Sequence, residues 1–235
     1  MTRDKRDSDV LPKGAGRCTG DRLNQRTLVI DTATAACSIA LFDGDRLIDA
    51  AHDIVGRGHA ERLVPMIAAL PDGGRAARIL VDVGPGSFTG IRVGIAAARG
   101  LALGWGATVE GYGTLALIGA AALARRSAGD APLAVVTEGG HGEVFMQVFA
   151  SPFEALDVPR SLTPEAAVAA LAGLRAIGTG TRWLNAIDAT VSVDETLPDA
   201  RDALSLPPSY RALPPVPFYG RAPDAKMPAA AKPGS

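Results

Sequence analysis

The segment Val83-Gly84-Pro85-Gly86-Ser87-Phe88-Thr89-Gly90-Ile91-Arg92-Val93-Gly94 constrains this chain more than any other stretch. A short apolar strand over 78–83 runs into it, and a helix rich in Ala, Gly and Val, about 91–103, leaves it. Strand, glycine-rich turn and helix in that order can aim backbone N–H groups at an anion. Three phosphate or enzyme motifs fail against it. A P-loop needs Gly-Lys-Ser/Thr at the helix start, but Gly90 is followed by Ile91 and Arg92. A dinucleotide fingerprint needs glycines at positions one, three and six, and Gly84, Gly86 and Gly90 fall at one, three and seven. A nucleophile elbow needs glycine two residues either side of serine, where Ser87 has Pro85 and Thr89. Two readings stay open: helix capping by Ser87 or Thr89, with Gly84 and Gly86 permitting a sharp reversal, or contact with a ligand or partner. Phe88, an aromatic in such a turn, either packs between lobes or presents itself to a partner.

Before this segment the pattern is a meander of three strands, 27–32, 37–43 and 46–52, with Asp43-Gly44 at the second turn. A helix over 59–70 follows, with Leu63, Val64, Ile67 and Leu70 on one face. After it, a helix over 114–125 ends in two arginines, which suit a helix C-terminus. Strands over 132–137 and 143–150 are joined by a turn at 139–142. Thr163-Pro164-Glu165 opens a helix, with Thr as cap and Pro at the first position. A short strand over 175–180 comes next, and the proline-rich stretch from Pro207 wraps over the surface as an irregular tail. The expected organisation is a disordered extension over 1–26, a first α/β lobe over 27–112, a second over 113–221, and a flexible tail over 222–235.

Composition narrows the function classes. Hydrophobic residues are 47 % and charged residues 21 %, a globular balance, while aromatics are only 5 %. The net charge of −1 gives no global attraction to a phosphate backbone, which disfavours a chain that grips nucleic acid alone. The first 26 residues carry seven Lys/Arg against four Asp, without interleaved aromatics. Cys18 and Cys37 are the only cysteines and fit two reduced thiols in a cytoplasmic protein. No apolar run approaches the roughly 20 residues of a membrane span.

Candidate chemistry is sparse. His59-Ala60-Glu61 invites a zinc reading, but the second histidine one turn on is replaced by Leu63. His59 is therefore read as a capping or solvated residue at a helix start. Asp31 could hold a metal–phosphate in an ATP-binding lobe, or be a structural aspartate at a strand end. No Ser–His–Asp or paired-carboxylate constellation is legible.

These residues resemble the TsaB (YeaZ) family. Leu28-Val29-Ile30-Asp31-Thr32-Ala33-Thr34 with Cys37-Ser38-Ile39-Ala40-Leu41 resembles the family's first hairpin, and His59-Ala60-Glu61-Arg62-Leu63-Val64-Pro65-Met66-Ile67 its first helix. Gly84-Pro85-Gly86-Ser87-Phe88-Thr89-Gly90-Ile91-Arg92-Val93-Gly94 is similar to its most specific signature, and Tyr219-Gly220-Arg221-Ala222-Pro223-Asp224-Ala225-Lys226 to its C-terminal end. The stretch Thr137-Glu138-Gly139-Gly140-His141 departs from the Asp-Ala-Arg-like residues common there. The resemblance implies a two-lobed α/β fold of the actin-like, sugar kinase and Hsp70 type. It implies a non-catalytic, cytoplasmic subunit for threonylcarbamoyladenosine formation beside the anticodon of tRNAs reading codons that begin with A. The implied partners are TsaD, a paralogue with the same fold, the ATPase TsaE in a larger complex, and tRNA through that complex. A homodimer is possible when TsaD is absent. No intrinsic cofactor is implied, although ATP is possible at the level of the complex. TsaD carries a metal site on a His-x-x-x-His motif that His59 and Leu63 do not reproduce. Partner-docking candidates are His59, Glu61, Gly84, Pro85, Gly86, Ser87, Phe88, Thr89, Gly90 and Arg92. The alternatives are an ATP-binding kinase or ATPase of the same fold, a peptidase, or a tRNA-binding module in its own right.

Overall fold

A computed structural model describes residues 25–127 and 129–220. The extension expected over 1–26 lies outside the described residues except for Gln25 and Arg26, and Arg26 already opens the first strand. The tail expected over 222–235 lies outside them altogether.

The first lobe is built on a five-stranded sheet. Strands β1 (Arg26–Asp31), β2 (Ala36–Asp43) and β3 (Arg46–Ile54) form the antiparallel meander expected from the alternation of their side chains. β4 (Arg78–Asp82) then joins β1 in parallel and β5 (Thr108–Tyr112) joins β4, giving the order β3-β2-β1-β4-β5. The period of two sends successive residues of β1 to opposite faces. Leu28 and Ile30 meet helices α1 (His59–Ala69) and α2 (Phe88–Trp105), whereas Val29 packs toward the second lobe. β5 is a departure from the sequence pattern, which passes from one helix straight to the next. It is five residues long, includes Gly111, and alternates Thr108, Glu110 and Tyr112 with Val109 and Gly111, so its apolar signal is weak.

Helix α3 (Thr114–Leu123) is apolar all round and buried, and it forms the floor shared by the two lobes. The second lobe is a six-stranded sheet of order β11-β10-β6-β7-β8, with β9 also paired to β7. Its strands are β6 (Leu133–Glu138), β7 (Val144–Ala150), β8 (Glu154–Ala155), β9 (Arg160–Leu162), β10 (Arg175–Ile177) and β11 (Val193–Asp194). Again alternate residues divide: Leu133 and Val135 face α3, while Ala134 and Val136 pack with Ala167, Leu171 and Leu184 of helices α4 (Pro164–Leu171) and α5 (Thr181–Ile187). The Thr163 hydroxyl caps α4 by accepting from the Ala166 N–H at 3.3 Å, as its Thr-Pro-Glu start predicts. Two 3-10 turns, Ala200–Ser205 and Pro208–Arg211, bring the chain back to the first lobe. There Leu213 bridges to Gly111 and the Phe218 N–H donates to the Val83 carbonyl at 2.7 Å.

The glycine-rich turn and α2 meet the β1–β2 turn backbone to backbone. A Cβ on Gly86 would stand 2.1 Å from the Ala33 carbonyl oxygen, one on Gly90 2.0 Å from the Thr32 carbonyl oxygen, and one on Gly94 2.5 Å from Thr32 Oγ1. The helix begins at Phe88, three residues before the expected Ile91, because Ser87 is its cap and accepts from the Gly90 N–H at 3.2 Å. Gly90→Ala has no space to relax into, since the clashing atom is backbone. The variant is expected to lose about 1–3 kcal/mol of unfolding free energy in chemical denaturation, and a loss under about 0.5 kcal/mol would contradict this packing.

Candidate functional site

β1 and β4 run parallel with Ile30 opposite Val81, so the next residues, Asp31 and Asp82, fall side by side at the strand ends. Both are fully buried. This corrects the expectation of a lone strand-end aspartate without a second carboxylate. The Asp82 Oδ1 accepts from the Gly84 N–H at 2.6 Å and from the Thr114 hydroxyl at 2.8 Å. The Tyr112 hydroxyl stands 3.2 Å from both Asp31 Oδ2 and the Ile30 carbonyl, and the Ala33 N–H donates to Asp31 Oδ1 at 3.3 Å. Asp82 Oδ2 has no other partner. Burial, and then the neighbouring Asp31 charge, hold the Asp82 carboxyl well above its usual range; burial also raises Asp31. Two buried carboxylates side by side resist being charged together, and both shifts run in the direction that favours a proton shared between them. Burial likewise pushes the Tyr112 hydroxyl up, with the Asp31 charge adding to it.

Above this pair, the glycine-rich turn closes over the sheet. Gly84, Pro85 and Gly90 are buried, and Gly84 takes φ 101° at the reversal. The Ser87 N–H donates to the Ala33 carbonyl at 2.7 Å and the Thr32 hydroxyl to the Gly90 carbonyl at 2.7 Å. The glycines thus serve close backbone approach. Ser87, Phe88, Thr89 and Arg92 are exposed. The Arg92 guanidinium lies 3.6 Å over the Phe88 ring and its Nε donates to the Tyr219 hydroxyl at 2.9 Å, while the Phe88 and Tyr219 rings are 5.2 Å apart. Tyr219 is a site residue that the sequence does not single out, although it begins the C-terminal segment resembling the family's end.

A cleft of about 590 Å³ separates the lobes. Ala33 and Thr34, Gly86, Ser87, Phe88 and Tyr219 line one wall, and Glu138, Gly139, His141, Thr179 and Arg182 the other. Residues Glu138–His141 of the Thr137–His141 stretch therefore form the second-lobe lip, Thr137 itself being buried, with Arg182 ion-paired to Glu138 and the Trp183 indole N–H donating to it at 3.0 Å. His59 corrects a second expectation. It is neither a solvated residue nor a side-chain cap: it is 6 % exposed, and its Nε2 lies 3.2 Å from the Ala36 carbonyl, which fixes α1 to the start of β2. Glu61 is exposed in the first turn of α1, where a carboxylate suits the helix dipole. Cys37 is buried, and burial pushes its thiol up to about 11, so it stays protonated at neutral pH. Ser38, His52 and Asp199 do come together. The serine hydroxyl donates to Asp199 at 3.5 Å and accepts from the Ala200 N–H at 3.0 Å, and His52 Nδ1 stands 3.6 Å from Asp199. Ser38 and His52 stand opposite one another on β2 and β3, each beside the same carboxylate, and the serine hydroxyl donates to that acid rather than to the imidazole; the cluster fastens the Ala200–Ser205 turn to β2 and β3. Among the described residues no helix is long and apolar enough to cross a membrane.

Residues 53–182, more than half of the chain, match the family described as TsaD, tRNA N6-adenosine threonylcarbamoyltransferase. The chain is 43 % identical over 98 residues to the tRNA threonylcarbamoyladenosine biosynthesis protein TsaB of Escherichia coli (strain K12), a match covering 38 % of this chain and 41 % of that protein. It is 39 % identical over 87 residues to the protein of the same name from Haemophilus influenzae, covering 34 % and 36 %. These matches span less than half the length of the curated relatives. The solved structure of YeaZ from Pseudomonas aeruginosa superposes with a TM-score of 0.67 at 28 % identity, covering 77 % of this chain and 90 % of that one. The two-lobed α/β architecture is shared with that structure.

The proton-sharing pair has a pH signature. Its raised carboxyl favours the folded state fully below the unfolded value near 3.8, and that contribution is lost as pH rises through the folded value. Asp82→Asn, which keeps an oxygen for Gly84 and Thr114 but cannot ionise, removes this slope. Denaturant unfolding between about pH 4 and pH 9 is expected to show the wild-type stability falling relative to the variant as pH rises; parallel profiles would show that Asp82 carries no shared proton.

Proposed function

This chain belongs to the tRNA N6-adenosine threonylcarbamoyltransferase family, among its TsaB-type members, and from that membership we propose that it is a non-catalytic subunit of the machinery that forms threonylcarbamoyladenosine in tRNA. In this reading it binds and supports a TsaD-type paralogue, which performs the transfer beside the anticodon. TsaE joins the larger complex, tRNA is reached through the complex rather than by this chain alone, and ATP is used at that level. The chain pairs with itself when the paralogue is absent, and the setting is cytoplasmic.

The observation that carries the reading is the outer face of the first lobe. α1 and α2 pack against the sheet through Leu63, Met66, Ile67, Ile91, Ile95 and Ala98, and turn their other sides to solvent. On that side Val64 is 55 % and Leu103 90 % exposed. Between them lie Ala96, Gly100 and Gly104, all exposed. Gly100 and Gly104 differ in kind from Gly86, Gly90 and Gly94: a Cβ at either would meet nothing within 4 Å. Glycine inside a helix costs roughly 1 kcal/mol relative to alanine, and among the described residues no contact requires it at these two places. A flat, small-residue surface lets a second helix approach closely, and a paralogue of the same fold would bring such a helix. The glycine-rich turn, with exposed Phe88, Thr89 and Arg92, opens this face at the N-terminal end of α2, and Glu61 stands at the start of α1.

Gly100→Arg tests the reading, because the fold has room for the side chain and an intermolecular helix contact does not. The variant is expected to keep its melting temperature while its affinity for the same organism's TsaD-type protein falls by at least about tenfold, with a parallel fall in tRNA modification by the reconstituted mixture. Unchanged association and modification would refute docking on this face.

A further inference from the structure

After Leu206 the chain crosses back to the first lobe, and residues 213–220 lie along its surface as a strap. The strap buries little: Leu213 is 38 %, Val216 52 % and Phe218 44 % exposed. Its ties are of two kinds. Backbone bonds join Leu213 to Gly111 in both directions, at 2.7 and 3.0 Å, and the Phe218 N–H to the Val83 carbonyl at 2.7 Å. The remaining ties come from two arginines on the exposed side of α2. Arg92 holds Tyr219 through its hydroxyl and ring, and Arg99 Nη2 donates to the Pro215 carbonyl at 2.7 Å. Past Tyr219, a Cβ on Gly220 would stand 2.5 Å from the Phe145 ring of β7 and 3.2 Å from Pro85, so the strap ends wedged between the second-lobe sheet and the glycine-rich turn. It crosses from one lobe to the other at the lip of the cleft.

A segment held by a few solvent-exposed bonds and little apolar burial belongs to the low-stability end of a fold and opens locally. Here two of its fastenings are cations standing on the same exposed ridge of α2 as Ala96, Gly100 and Leu103. We propose that residues 213–220 are a releasable strap, and that a partner docking on α2 with carboxylates opposite Arg92 and Arg99 frees it and unhooks the second lobe from the glycine-rich turn. The coupling rests on the docking reading above; the strap itself does not. The Arg92 Nε has a single N–H, so a carboxylate taken there displaces the Tyr219 hydroxyl; Arg99 Nη2 has two, and it gives up the Pro215 carbonyl only as its whole guanidinium swings outward to the partner's carboxylate. Each arginine trades a neutral acceptor for a charged one, which forms the stronger bond. Release would separate the Phe88 and Tyr219 rings, now 5.2 Å apart, and widen the cleft that Tyr219 lines.

Amide hydrogen exchange on the full chain tests both parts. In Arg92→Ala/Arg99→Ala, on an exposed helix face where alanine is well tolerated, the Leu213 and Phe218 amides are expected to exchange about tenfold faster than in the wild type, with the β1, β4 and α2 amides unchanged. Tyr219→Phe, which keeps the ring and removes the hydroxyl, is expected to give a smaller acceleration at Phe218. Unchanged exchange at both amides in the double variant overturns the strap. The second comparison adds the same organism's TsaD-type protein to the wild type. Faster exchange of Leu213 and Phe218 in the complex supports the coupling, and stronger protection of them there overturns it while leaving the docking reading intact. If no complex forms, the docking reading and the coupling fall together, and the strap is still decided by the first comparison.

Discussion

The seam between the β1–β2 turn and the start of α2 is the constraint on which the rest of this structure depends. Gly86, Gly90 and Gly94 succeed one another at intervals of four, so they form a single stripe that faces Thr32 and Ala33. Only a backbone without Cβ atoms allows the helix to come down so far, and at that depth the turn and helix trade hydrogen bonds directly with the loop, through Ser87 to Ala33 and Thr32 to Gly90. With the helix at that height, Ile91, Ile95 and Ala98 reach Ile30 and Val81 and complete the outer core. The same geometry seals the strand ends and with them Asp31 and Asp82. Two of the N–H groups that an anion could meet at this helix start are thereby taken within the protein, that of Ser87 by the Ala33 carbonyl and that of Gly90 by the Ser87 hydroxyl.

That sealing decides the state of the aspartates. An isolated buried carboxylate is expensive, and two together are worse. The structure offsets this with one shared proton and donors from Gly84, Thr114, Ala33 and Tyr112. These donors come from the strand ends, the glycine-rich turn and the first residue of α3. The pair therefore ties together the parts of the first lobe that meet the second, since α3 is the helix on which both sheets rest.

Local periodicity is the part of this fold that the sequence makes legible. The β1–β3 meander, α1, β4, α3, β6 and β7 each carry an apolar alternation or stripe strong enough to be read alone. β5 and α5 do not: β5 is short and interrupted by Gly111, and α5 comes after the glycines at 178 and 180, which read as loop. The carboxylate pair is hidden altogether, because its members stand far apart in the chain and each looks like an ordinary strand end. Only the parallel register of β1 against β4 makes them neighbours. A glycine-containing reversal directly after Asp82, which resembles that after Asp31 in carrying small residues, is the one signal that could have paired them. His59 misleads for the same reason, since the carbonyl it meets belongs to Ala36 on another strand. The glycine-rich turn is legible as a special conformation, but its cause is not, since a backbone carbonyl that fills the space under a glycine leaves no mark in the sequence.

Two kinds of glycine in one helix then separate scaffold from surface. Toward its N-terminus α2 has Gly90 and Gly94, where an added Cβ would stand 2.0 and 2.5 Å from oxygens of Thr32, and substitution there damages the fold. Two turns further on it has glycines that the chain leaves open, beside a leucine almost entirely in solvent. A helix optimised only for its own stability would carry alanine at 100 and 104. The cost is instead retained on the face lined by Arg92 and Arg99, along which the strap lies. The first half of α2 is thus determined by what is beneath it and the second half by what can come to lie over it. The two arginines stand where those demands meet: each has a tie within the chain, and each is exposed enough to exchange that tie for another.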